Sequence, residues 1–200
     1  EFIPGISEVP VSGKVIGALE LQNMVEASLD GWLTTGRFNQ RFEEKLSKFL
    51  GIKCLLTVNS GSSANMLMLS ALKIITHSRN ILNPNIIVPS VSWSTTYTPA
   101  YFLGFKLKFV DVNPDTFGLD LSHVMEAVDS ETVGILTVNL LGSASDLEEI
   151  AKFAKERNII LLEDNCESQG TKFKGTKLGN FGLMSSFSTY FDKIAITCFS

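Results

Sequence analysis

GILTVNLLGSASDLEEIAKFAKERNIILLEDNCE, residues 134–167, is the stretch on which the fold turns. Residues 134–139 are a β-rich apolar strand. Ser145 and Glu148 have the spacing of a capping box, which predicts a helix over 146–157. Residues 159–162 (IILL) form a short, fully apolar strand that stops at Glu163 and Asp164. The same rhythm extends in both directions. On the amino side, 86–88 and 107–112 read as strands, and Asp120 is placed to cap a helix over 121–128. Residues 20–30 read as a helix stopped by Gly31. Residues 38–50 read as another, with Phe38, Phe42, Leu46 and Phe49 on one stripe and Gly51 as its stop. Leu55–Val58 reads as a buried strand, and ANMLMLSALKII (64–75) as the helix after it. On the carboxyl side, KFKGTKLG (172–179) reads as a hairpin turning near Gly175. Strands and helices alternating at these lengths predict an α/β layered domain with a mostly parallel sheet.

The chain has 200 residues, 44% hydrophobic and 19% charged, enough apolar mass for a core. Seventeen Lys and Arg stand against 21 Asp and Glu, a net charge of −4 with no basic run, so nucleic acid and anionic membrane surfaces are not expected partners. No apolar run approaches the ~18 residues of a membrane span. Residues 1–17 lack the basic-then-apolar layout of a signal peptide. Cys54, Cys166 and Cys198 lie far apart without a CxxC, which fits a reducing cytoplasm. With two His and three Cys, no metal site is expected. His77 and His123 have no evident acid–base partner. The ending FSTYFDKIAITCFS has no closing helix and reads as a chain cut from something longer.

Four groups of residues could carry chemistry. Asn59–Asn65 (NSGSSAN) follows a strand and opens a helix. Small residues there let a phosphate reach free backbone N–H groups, and Ser60, Ser62 and Ser63 add hydroxyls. An ordinary serine cap explains the same stretch. Glu163-Asp164-Asn165-Cys166-Glu167 follows an apolar strand at the sheet's carboxyl edge, where α/β proteins bind ligands. A carboxylate there can neutralise a protonated ring nitrogen, or it can be a solvated loop acid. Lys193 stands among aromatic and apolar neighbours in SFSTYFDK, where desolvation would lower its pKa and permit a Schiff base. A surface lysine is the plain alternative. Trp93, in PSVSWSTT, could stack on a flat cofactor or sit in the core.

Taken in order, these pieces resemble the DegT/DnrJ/StrS family of nucleotide-sugar aminotransferases, fold-type I enzymes that use pyridoxal phosphate (PLP). The resemblance rests on GWLTTGR (31–37), FEEKLSKFLG (42–51), NSGSSAN (59–65), PSVSWSTT (89–96), FVDVNPDTFGLD (109–120), Leu161–Asp164 and KGTKLGNFG (174–182) running into SFSTY. It implies a three-layer α/β large domain with a mostly parallel, mixed sheet over 31–200, preceded by a segment and helix over 1–30. Asp164 matches the acid that pairs with the pyridine nitrogen, and Lys193 the Schiff-base lysine. Gly61, Ser62, Ser63 and Ser188 match phosphate ligands, and Trp93 the aromatic stacked on the ring. Glu167 stands where many members have Gln, near the phenolic oxygen. Thr35 is similar to a substrate-side position. The implied reaction is transfer of an amino group, from a donor such as glutamate, to a nucleotide-linked keto-sugar. The implied cofactor is PLP, with its amine form pyridoxamine phosphate (PMP), and the implied assembly is a homodimer with shared sites. Surface polysaccharide or lipopolysaccharide synthesis in the cytoplasm is the implied setting.

Two departures bear on this. EDNCES (163–168) and FIPGISEVPVSGKVIG (2–17) resemble one branch, the PMP-dependent sugar 3-dehydrases of the CDP-4-keto-6-deoxyglucose type that serve 3,6-dideoxyhexose synthesis. Those enzymes carry His in place of the Schiff-base lysine, so Lys193 favours transamination. Family members are also about twice as long, which implies that a C-terminal small domain is missing. A truncated, non-catalytic member is the third expectation.

Overall fold

The computed structural model describes residues 2–8, 16–144 and 146–190. Helix α1 (Ala18–Leu29) and helix α2 (Arg37–Leu50) come first. Helix α3 (Gly61–His77), strand β1 (Asn85–Pro89), helix α4 (Ser94–Phe102), strand β2 (Lys106–Val110), helix α5 (Leu121–Ala127) and strand β3 (Thr132–Val138) follow. Helix α6 (Leu147–Glu156) and strand β4 (Ile160–Asn165) complete the deciding unit. A β5–β6 hairpin (Lys172–Phe173, Thr176–Lys177) and strand β7 (Met184–Phe187) come last.

Five strands form one sheet in the order β2-β1-β3-β4-β7, and all four pairings are parallel. Alternation along the strands sends side chains to two faces. Ile86, Val88, Leu136 and Leu162 meet Met68, Leu69 and Leu72 of α3 and Ala100 of α4. Ile87, Ile135 and Leu161 meet Val124 of α5 and Leu147, Ile150 and Phe153 of α6. The result is the expected three-layer α/β architecture. Gly134 lets α3 approach β3, because a Cβ there would lie 3.0 Å from Leu72 Cδ2.

Most predicted elements appear within two or three residues of their expected bounds. Asp120 caps α5 through Ser122 and His123. The hairpin turns at Lys174 and Gly175, both at positive φ as a type I′ turn requires. Ser145 and its capping box lie outside the described residues, and Asp146 is the N-cap of α6, in a left-handed conformation with no side-chain cap bond. The strand expected over 55–58 is a correction. The segment pairs with no strand among the described residues. Thr57 instead donates its N–H and hydroxyl to Glu43 Oε1 on α2, at 2.7 Å each. These bonds, the hydroxyl's first, hold the Glu43 carboxyl below its usual value. The apolar stripe of α2 is likewise left open, with only Leu50 buried. Helix α4 and strand β7 have no counterpart among the predicted elements; α4 carries three Thr and an internal Pro99, poor helix formers whose placement comes from packing on α3.

Candidate active site

In a parallel sheet every strand ends at the same edge. Here the carboxyl ends of β3, β4 and β7, with the N-termini of α3 and α4, surround an open cavity of about 1230 Å³. Gly61, Ser62, Trp93, Asp164, Glu167 and Ser188 all line it. Residues separated by more than a hundred positions are thus brought together by topology alone.

The pleat separates the two acids of β4. Asp164 shares the face of Leu162 and points to α3 and α4. It is 4% exposed. Its Oδ2 accepts from Asn65 Nδ2 and Thr96 Oγ1, both at 2.8 Å, and its Oδ1 accepts from the Cys166 N–H at 3.0 Å. Glu163 faces the other way and is fully buried. Its carboxylate accepts from the N–H groups of Gly179 (2.8 Å), Phe181 (2.8 Å) and Gly182 (2.7 Å) and from Asn139 Nδ2 (3.3 Å). Glu163 therefore clamps the loop that feeds β7, and Asp164 is the acid of the cavity.

At the start of α3, Ser60 is the N-cap: its Oγ accepts from the Ser63 N–H at 3.1 Å and pairs with Ser63 Oγ. That cap engages the Ser63 N–H. The N–H groups of Gly61 and Ser62 lie in the first turn, without an intrahelical acceptor. A Cβ on Gly61 would come within 3.0 Å of Cys166 Sγ, so glycine keeps this corner open. Trp93 is the N-cap residue of α4 and is 70% exposed. Glu167 Oε2 accepts from the Leu141 N–H at 3.4 Å, and Ser188 Oγ accepts from the Tyr190 N–H at 3.2 Å.

A flat phosphorylated pyridine fits this donor set. The open helix N-terminus with hydroxyls suits the phosphate, the exposed indole suits the ring face, and Asp164 Oδ1, with one donor, has room for a ring N–H. Three expected residues stand apart. Ser63 is bonded to the Ser60 cap and does not line the cavity. Thr35 lines a second, smaller cavity between α1 and α2, where its carbonyl accepts from Trp32 Nε1. Lys193 lies outside the described residues. Three site residues had no assigned role in the sequence reading: Asn65, Thr96 and Ser186. Only Asn65 left a signal, as an amide in an otherwise apolar helix stretch. Among the described residues, no three His, Cys, Asp or Glu cluster as a metal site, and no helix is long and apolar enough to cross a membrane.

A model of the DegT/DnrJ/EryC1/StrS aminotransferase family matches residues 15–200. The chain is 45% identical over 191 residues to the lipopolysaccharide biosynthesis protein RfbH of Salmonella typhimurium, covering 94% of this chain and 44% of that protein. It is 44% identical over 168 residues to GDP-4-keto-6-deoxy-D-mannose 3-dehydratase of Escherichia coli O55:H7, covering 84% and 43%. GDP-perosamine synthase of Escherichia coli O157:H7 is 29% identical over 190 residues, at 94% and 50% coverage. Among solved structures, the E. coli GDP-4-keto-6-deoxy-D-mannose-3-dehydratase with bound hydrated PLP superposes with a TM-score of 0.83 at 41% identity, over 92% of this chain and 47% of that one. The chain thus spans a little under half the length of the first two relatives.

Proposed function

We propose a function from one premise: this chain belongs to the DegT/DnrJ/EryC1/StrS aminotransferase family. The reading is a PLP/PMP-dependent dehydration at C3 of a nucleotide-linked 4-keto-6-deoxy sugar, in the making of surface polysaccharide sugars. The observation that carries it is the gap in identity. The 3-dehydratase stands at 44% and the aminotransferase-type perosamine synthase at 29%. That gap favours the dehydratase branch over the transaminase that Lys193 suggests.

The cofactor, when bound, supplies an electron sink that the protein's side chains lack. The chain's own residues do the rest. Asp164 would hold a proton on the ring nitrogen, its carboxylate fixed on one side by Asn65 and Thr96. The N–H groups of Gly61 and Ser62, with the hydroxyls of Ser62 and Ser188, would take the phosphate. Trp93 would cover the ring and keep water from one face. Glu167 would stand near the phenolic oxygen. Lys193 would move a proton to and from the sugar carbons as general base and acid. An amino-acid donor such as glutamate would regenerate the amine form. Thr35 reaches a substrate only if a second copy brings its α1–α2 loop to the cavity. The exposed Leu19, Leu21, Met24, Val25 and Leu29 of α1 support such a homodimer. The three cysteines, spread along the sequence without a CxxC, support a cytoplasmic setting.

Transamination remains the second reading, on the specific ground of a lysine at position 193. Reduction with borohydride after loading with PLP, then peptide mapping, separates the two. Binding with no modified lysine, and loss of the 3-hydroxyl from a GDP-linked 4-keto-6-deoxyhexose, supports dehydration. A pyridoxyl group on Lys193 and an aminated sugar support transamination instead. A chain that takes up neither PLP nor PMP removes both.

A further inference from the structure

Helix α3 buries two polar side chains, Thr76 near its end and Asn65 at the cavity. Asn65 is 2% exposed. Burying an amide is unfavourable unless each of its groups finds a partner, and here each does. Nδ2 donates to Asp164 Oδ2 at 2.8 Å and reaches the Thr95 carbonyl at 3.5 Å. Oδ1 accepts from Ser186 Oγ at 2.6 Å. The amide has a single workable orientation: two acceptors face its NH₂ and a hydroxyl faces its oxygen.

The neighbours are built to receive it. Ser186 and Asp164 are register partners on β7 and β4, so their side chains emerge on the same face and Asn65 spans them both. The Thr95 carbonyl is open because its helical partner would be the N–H of residue 99, and residue 99 is Pro, which has none. Thr96, one position on, donates to the same Oδ2. Asn65 thus ties together α3, α4, β4 and β7 at the carboxylate.

We propose that Asn65 is a positioning residue for the cofactor ring; this rests on the PLP/PMP reading above. Asn65 follows Gly61 by four residues, about one helical turn or 6 Å along the axis. One rigid turn therefore carries both the phosphate end of the site and the brace on Asp164. The spacing between the two anchor points of the ring is set by α3. The brace occupies Oδ2 and leaves Oδ1, with its single backbone donor, for the ring nitrogen.

The test uses PMP labelled with ¹⁵N in the ring, bound to the 200-residue chain and to N65A and N65D. N65D is isosteric, keeps an acceptor for Ser186, and turns the donor facing Asp164 into a second carboxylate oxygen. The ¹⁵N resonance reports whether the ring nitrogen is protonated, a property that a packing role alone would not move. The expected result is a protonated ring nitrogen in the unaltered chain. Both variants, folded, should show a displaced resonance, N65A toward the unprotonated form, and PMP bound about tenfold more weakly. An unchanged resonance in both folded variants overturns the inference and leaves the cofactor reading standing. Loss of the folded state in both overturns it too, by making Asn65 a packing residue. No PMP binding by the unaltered chain overturns the cofactor reading and the inference together.

Discussion

Glu163 and Asp164 carry the same carboxyl group one position apart, and the pleat of β4 gives them different work. Asp164 has one oxygen filled by two side-chain donors and the other by a single backbone N–H. Asp164→Asn keeps the shape and removes the charge, and its new NH₂ would face either the Cys166 N–H or the donors on Asn65 and Thr96. PLP titrated against this variant, followed by protein fluorescence, should bind about tenfold to a hundredfold more weakly, the worth of one charge-assisted hydrogen bond. Affinity equal to that of the unaltered chain would remove Asp164 from the site. In the sequence, the position of this pair after an apolar strand was legible, because strand ends in parallel sheets are where ligands gather. The division of labour was not fully readable. It depends on what lies across each face, here α3 and α4 for Asp164 and the 179–182 loop for Glu163.

Loops and helices carry the next level of the design. The 179–182 loop has no ladder of its own and is held by the Glu163 carboxylate. Gly179, at φ +91°, lies close enough to Phe187 and Asn165 that no side chain would fit there. Glu163→Gln replaces one acceptor oxygen with an NH₂ that meets backbone N–H groups. It should lower stability by about 2 kcal/mol, read as a lower urea midpoint at unchanged slope. A midpoint within error of the unaltered chain would show that the loop holds without its clamp. Of the elements that were legible in the sequence, α3, α5, α6 and the inner strands are those whose periodicity agrees with their burial, whereas α2 was legible from a stripe that stays open. Those that were not legible have tertiary causes. Helix α4 forms against its propensities because α3 and β2 cover it, and Pro99 is tolerated because Asn65 lies near the carbonyl it leaves open. Residues 55–58 have the composition of a strand, but a strand needs a neighbour. Here the segment is tied to Glu43 across the cavity from β7.

At the scale of the molecule the sheet has two ends with separate tasks. The carboxyl end gathers the ligand site. The amino end is a polar lock around Asp129. Its Oδ1 accepts from Asn85 Nδ2 (2.8 Å), the Glu131 N–H (2.9 Å) and Thr132 Oγ1 (3.0 Å), and its Oδ2 pairs with the Lys108 ammonium at 2.5 Å. Strands β1, β2 and β3 are joined there by one side chain. The Lys108 bond first, then that from Asn85, holds the Asp129 carboxyl far below the usual carboxylate range. A carboxyl whose folded value is depressed stabilises the fold above its ordinary value, and that contribution is lost as pH falls toward the folded one. Melting temperature should therefore drop on acidification from about pH 4 downward. Asp129→Asn should melt a few degrees lower at neutral pH, and the gap to the unaltered chain should close as the pH is lowered. A gap that stays constant with pH would assign the loss to packing instead of charge. Because this lock lies at the opposite end of the sheet from Asp164, PLP affinity at neutral pH should be the same in Asp129→Asn as in the unaltered chain. A change there would mean that the two ends of the sheet are coupled through its strands.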